Sequence, residues 1–207
     1  MIIHKGDSCT IEASGAGAVK ERDGIRKEVP FYPERDVEAV AGEIDERSAW
    51  QLLHDVAVAA AACATPILPS HILIDGNGFR LSEWSESTDL RFEAPEGPCG
   101  ESARVWALGA TLFFVFMGSH VFHGLGGRGQ ASTTPVPVLR RELPQLSALV
   151  GRCLQFSPSG RPSLVEIVAV AEKNLERLGT DDSVTSRPLK KTETEIDIDE
   201  AWPEEMK

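Results

Sequence analysis

Between Ala103 and Gly118 the chain reads Ala-Arg-Val-Trp-Ala-Leu-Gly-Ala-Thr-Leu-Phe-Phe-Val-Phe-Met-Gly, its most apolar stretch, broken early only by Arg104. Crossing ~30 Å of hydrocarbon takes about 20 apolar residues, so this run is too short to span a membrane. Its length and all-round apolarity suit a helix buried on every side in a globular core. The remainder of the chain must then supply the apolar surface that covers it. At 207 residues and 42% hydrophobic content the sequence has that material, and its length favours one domain plus tails.

Charge and cysteine usage narrow the function classes. The net charge of −11 argues against a nucleic-acid backbone or an anionic membrane as partner, and no basic cluster offsets it. Residues Met1 to Asp7 are too short and polar for a signal peptide, and no apolar run reaches transmembrane length, so the expectation is a cytoplasmic protein without membrane insertion. Cys9, Cys63, Cys99 and Cys153 lie far apart with no Cys-x-x-Cys, which suggests neither a zinc site nor a dithiol. His120-Val121-Phe122-His123 offers two ligands on a helix but no third nearby, and no metal or cofactor is expected.

Along the chain, Ile2 to His4 and Cys9 to Glu12 pair as a hairpin in a short N-terminal segment, residues 1–35. Gly15-Ala16-Gly17-Ala18-Val19-Lys20 reads as small residues in a flexible loop. A helix candidate runs from Asp36 to Ala41 and is broken at Gly42-Glu43-Ile44. Asp45 is a natural N-cap for a helix that continues to about Ala64, with small residues suited to tight packing. Ile72 to Ile74 and Phe79 to Leu81 read as two strands around Asp75-Gly76-Asn77-Gly78, which supplies the positive φ of a tight hairpin. Phe79 at the fifth position and the lack of a closing Glu exclude a calcium loop there. Gly124 to Pro137 reads as a surface loop. Leu143 to Phe156 and Ser163 to Leu178 have helical spacing, with Gly179 as the stop. Residues 180–207 are polar and acidic and are expected to be disordered alone.

Three pieces stand in a telling order: Phe92-Glu93-Ala94-Pro95-Glu96, the helix with Val105-Trp106-Ala107-Leu108-Gly109, and Pro158-Ser159-Gly160-Arg161-Pro162. Order and spacing resemble the C-terminal lobe of a protein kinase, where Ala-Pro-Glu ends the activation segment. The resemblance implies a mainly α fold: a kinase C-lobe-like helical domain with a small β-hairpin and a reduced N-terminal β segment. It also implies a buried ion pair, here Glu96 with Arg161, since either charge left alone would carry a large desolvation cost.

The same alignment tests the chemistry. The kinase catalytic Asp falls on Pro66, the Lys two residues on falls on Leu68, and the Asn falls on His71. Proline cannot accept a proton and leucine cannot balance phosphate charge. The metal-binding Asp-Phe-Gly falls on Glu83-Trp84-Ser85, and the Asp that begins the central helix is Arg104. Lys20 and Glu83 are the remaining candidates for nucleotide or cation contact; Lys20 follows Gly17 too closely for the two strands and further lysine-bearing strand of a kinase, and a lone carboxylate is a poor Mg²⁺ site.

Val37 to Glu46 followed by Trp50-Gln51-Leu52-Leu53 resembles the opening of the kinase non-catalytic C-lobe domain, or KIND, family over residues 36–179. The signature positions are Trp50, Ala94, Pro95, Glu96, Trp106, Gly109 and Arg161. The intact Pro-x-x-Arg-Pro turn is closer to active kinases, so an independently degraded pseudokinase is the second family. Members of the first bind helical or extended peptides, including basic tails of actin nucleators. The resemblance thus implies a non-enzymatic docking module for a protein or peptide partner, which the charge of −11 suits if that partner is basic. The alternative is a degenerate pseudokinase, acting as a nucleotide-responsive switch or with residual phosphotransfer. In the tail, Ile196, Ile198 and Trp202 stand among carboxylates and read as a short motif for a basic, apolar-lined groove on another protein or on the domain itself.

Overall fold

The computed structural model describes residues 2–5, 9–14, 17–22, 25–30, 36–62, 65–76, 78–82, 88–139 and 142–180. Glu83, Ile196, Ile198, Trp202 and the tail beyond Thr180 lie outside them.

Strands β1 (Ile2–Lys5), β2 (Cys9–Ser14), β3 (Gly17–Arg22) and β4 (Ile25–Pro30) form an antiparallel meander in sequence order. β1 and β2 pair as the sequence suggests, His4 opposite Ile11 and Lys5 opposite Thr10. The stretch read as a flexible loop is different: Gly17 to Lys20 is strand, with Lys20 opposite both Ile11 and Lys27. Local composition misleads there because the strand is held by neighbours on both sides, which small residues tolerate.

The first helical candidate shortens to one 3₁₀ turn, Val37–Val40, capped where the Asp36 carboxylate accepts from the Ala39 N–H at 3.1 Å. Val37 and Val40 are buried, and the Gly42 N–H donates to the Val115 carbonyl at 2.6 Å. Tertiary contact stops the helix before it can lengthen. Helix α1 (Glu46–Ala62) begins behind Asp45, whose carboxylate accepts from the Ser48 N–H at 2.8 Å. Its apolar face buries Trp50, Leu52, Leu53, Val56, Ala57 and Ala60.

Hairpin β5 (Ile72–Asp75) and β6 (Gly78–Leu81) pairs Asp75 with Gly78 across a two-residue turn, and Gly76 adopts φ +58°. Helix α2 (Glu101–Met117) is the apolar run; Val105, Trp106, Leu108, Leu112, Val115 and Phe116 are all buried, and Gly118 ends it. α3 (Pro144–Cys153) packs on α2, and α4 (Leu164–Thr180) packs along α1. The described chain is therefore mainly helical, four α-helices with small antiparallel sheets. No described helix is long and apolar enough to cross a membrane.

Gly124 to Pro137 departs from a plain surface loop. Gly126 and Gly127 are buried, and the Gly127 N–H donates to the Glu93 carbonyl at 2.8 Å. A side chain at Gly126 would stand 2.2 Å from the Leu90 carbonyl oxygen, and its φ is +57°. Glycine at this position therefore serves a backbone-to-backbone seat that composition alone disguises as flexibility.

Candidate functional site

Three segments distant in sequence meet at Arg161. Its guanidinium has five N–H donors, and five bonds use them. Nη1 donates to Glu96 Oε1 at 2.5 Å and to the Ser102 carbonyl at 2.8 Å. Nη2 donates to Glu96 Oε2 at 2.9 Å and to the Phe156 carbonyl at 3.1 Å, and Nε donates to the Gln155 carbonyl at 2.8 Å. The guanidinium carbon lies 5.0 Å from the centre of the Trp106 ring, a cation–π distance. This planar fork matches its surroundings in a way that a lysine could not.

The pair is less enclosed than the sequence suggests. The Arg161 side chain is fully buried, while that of Glu96 keeps 30% exposure. Burial pushes the Glu96 carboxyl upward, but the Arg161 hydrogen bonds and charge outweigh it and leave the group below the ordinary glutamate value. The neighbouring start of α4 is tied to the same place: the Leu164 N–H donates to Glu101 Oε1 at 2.9 Å, and the Glu166 N–H donates to Ser163 Oγ at 3.1 Å.

Of the other positions singled out above, Ala94 is buried beside Glu96, and Trp106 stacks on Phe122 at 5.6 Å and 16°. Gly109 lets α2 and α3 touch, because a Cβ there would lie 2.7 Å from the Cys153 Cβ. The Cys153 thiol is itself so enclosed that burial pushes its pKa up to about 12. Trp50 is fully buried on α1; its Nε1 donates to Glu46 Oε1 at 3.2 Å, an oxygen that also accepts from Arg177 Nη2 at 2.6 Å. That link joins α1 to α4 and is separate from the Arg161 assembly.

Two of the three positions aligned above with a catalytic loop are packed into the core. Pro66 is exposed, Leu68 is buried, and His71 is buried with Nδ1 2.9 Å from the Pro66 carbonyl. Bonding to a carbonyl, which can only accept, makes Nδ1 the donor. Arg104 donates from Nη1 to the Ala60 carbonyl, one of the last four of α1, and so closes a helix end. Lys20 sits on β3.

Asp55 was not legible as a site residue. Its Oδ2 accepts from the Phe79 N–H at 2.9 Å and its Oδ1 accepts from Gln51 Nε2 at 2.8 Å, so one carboxylate fastens the β5–β6 hairpin to α1. The available signal was a lone acid beside Leu52, Leu53 and Val56 on an apolar helix.

His120 and His123 lie past the end of α2 instead of on a helix, since Gly118 stops it. His120 sits between Phe92 and Phe114, with ring centres at 5.3 and 4.6 Å, and its Nε2 is 2.7 Å from Arg91 Nη1. Burial first, and the Arg91 charge second, lower its pKa. Among the described residues no three His, Cys, Asp or Glu side chains are grouped so as to hold a metal.

Beside Trp106 opens a cleft of about 180 Å³. Trp106, Phe122, Val136, Leu154 and Phe156 give it apolar walls, and Gln130, Ser132 and Thr134 add polar groups. No protein-family model matches this chain, and no curated protein matches it in sequence.

Proposed function

We propose that this chain is a catalytically inactive, kinase C-lobe-like docking module that binds a peptide segment of a partner protein. The observation that carries the reading is the Arg161 assembly. Ala94-Pro95-Glu96, the Trp106 helix and the Arg161-Pro162 turn converge on one guanidinium whose five donors are all used. That assembly contrasts with the aligned catalytic positions: Pro66 has no side-chain proton acceptor, Leu68 no charge to set against a phosphate, and the His71 ring is buried with Nδ1 on the Pro66 carbonyl. A nucleotide-responsive pseudokinase is the second reading, and the place of Lys20 on a strand of an antiparallel sheet favours it.

Mg-ATP separates the two. Incubated with labelled Mg-ATP and a generic protein substrate, the purified chain should transfer no phosphate, and its melting temperature should not move. A site filled at 100 times its Kd would add about 2.7 kcal/mol, which melting detects readily. Phosphate transfer that disappears in Glu83→Ala would overturn the docking assignment. On the binding side, selection from a displayed peptide library should enrich an extended or helical sequence; failure to enrich any would sink the docking role.

A further inference from the structure

The net charge of −11 is unevenly placed. From Gly118 to Ser163, the stretch that supplies every cleft-lining residue except Trp106, the sequence has Arg128, Arg140, Arg141, Arg152 and Arg161 against a single acid, Glu142. From Asp181 to Lys207 there are nine carboxylates and four cations, and from Thr192 to Met206 no cation at all. Arg161 is consumed within the fold, whereas Arg128 and Arg152, although paired with Glu93 and Glu166, keep 47% and 45% of their side chains exposed. An apolar cleft on a stretch with five arginines and one acid complements an acidic segment that carries an aromatic residue.

The reach is right as well. α4 starts at Leu164, three residues past Arg161, and ends at Thr180 beside the first turn of α1, where Arg177 meets Glu46. Its 17 residues, at 1.5 Å each, place the root of the tail roughly 25 Å from the cleft end of the helix. Trp202 stands 22 residues beyond Thr180, and a flexible coil of that length has a root-mean-square span of about 26 Å. A linker whose span matches the separation gives an effective concentration in the millimolar range.

We propose that the cleft bounded by Trp106, Phe122 and Phe156 is the seat of the chain's own segment 192–206, with Trp202 as its anchor. Trp202 fills the apolar space, and Glu200, Glu204 and Glu205 compete for the exposed guanidinium groups of Arg128 and Arg152. The inference uses only cleft, charge and reach, so it stands apart from the kinase likeness. Under the docking function proposed above, tail and partner compete for one surface.

Trp202 emission in the full chain provides the test, isolated from Trp50, Trp84 and Trp106 by subtracting the spectrum of Trp202→Phe. At low ionic strength it should lie to the blue of free indole. For a weak site with a Kd on the order of 0.1 mM, millimolar effective concentration gives a closed-to-open ratio of roughly ten, with a matching fall in acrylamide quenching. Phe156→Asp and Ser132→Glu, two changes at exposed positions checked by unaltered urea midpoints, should each return Trp202 to the solvent-exposed spectrum. Salt at 1 M, where the Debye length is about 3 Å, should do so in large part. Solvent-exposed emission at low salt would refute the proposal, as would protection that survives both cleft variants. Protection that grows with protein concentration would overturn the intramolecular seat in favour of a second copy.

Discussion

Replacing Glu96 with alanine leaves the Arg161 guanidinium in place and removes two of its five acceptors. The other three, the carbonyls of Ser102, Gln155 and Phe156, still hold it at 2.8 to 3.1 Å. Breaking a fully enclosed ion pair costs about 3–5 kcal/mol because a bare charge is stranded. Here Glu96 is 30% exposed, so water can enter on that side and rehydrate Nη1 and Nη2. Hydrogen bonds to charged groups contribute roughly 1.5–3 kcal/mol, and a net loss of about 2–3 kcal/mol follows for Glu96→Ala. Arg161→Ala should cost more, about 3–5 kcal/mol, since it orphans three carbonyls and the face of Trp106 in addition to the carboxylate. Urea unfolding at neutral pH measures both, and a double-mutant cycle isolates their coupling. The sign of the pH effect follows from the lowered Glu96 pKa. Its stabilisation is complete above the unfolded glutamate value of about 4.3 and is lost as pH falls through the lower folded value. A Glu96→Ala cost equal to that of Arg161→Ala, or below about 1 kcal/mol, would refute the reasoning that three carbonyls and partial hydration share the load.

Two further perturbations test other parts of the molecule. Gly109→Ala gains helix propensity of about 1 kcal/mol but drives a methyl to 2.7 Å from the Cys153 Cβ, so a net destabilisation of about 1–2 kcal/mol should appear in urea midpoints; a stabilised variant would mean that α2 and α3 can part freely. His120 is held below the ordinary imidazole pKa by burial and by Arg91, with Asp89 opposing and His123 adding to the shift. Its neutral form therefore favours the fold fully above about 6.5, and that stability falls as pH drops from there toward the folded value. His120→Gln should reduce proton uptake on unfolding in that window by at most about one proton, and an unchanged pH slope would show that the ring does not titrate with folding.

Much of the helical framework was written locally. Asp45 caps α1, the Asp75 to Gly78 run makes the hairpin, and the unbroken apolarity from Val105 to Phe116 requires a central, covered helix. These readings succeed because caps, tight turns and apolar periodicity act over a few residues. Tertiary structure decided the rest. Gly17 to Lys20 became strand through partners on both sides, and Asp36 to Ala41 was cut to one turn by the contact of Gly42 with Val115. Gly126 and Gly127 are buried because they meet the backbone of Leu90 to Pro95, contacts invisible in a Gly-rich stretch. The pairing of Glu96 with Arg161 was expected only from the resemblance to a kinase lobe, since no local pattern links positions 65 residues apart; the fold brought Ser102, Gln155 and Phe156 to the remaining donors and left Glu96 partly wet. Likewise the cleft beside Trp106 takes its walls from residues spread between positions 106 and 156, a juxtaposition that no local pattern encodes, because long-range packing fixes which side chains share a surface.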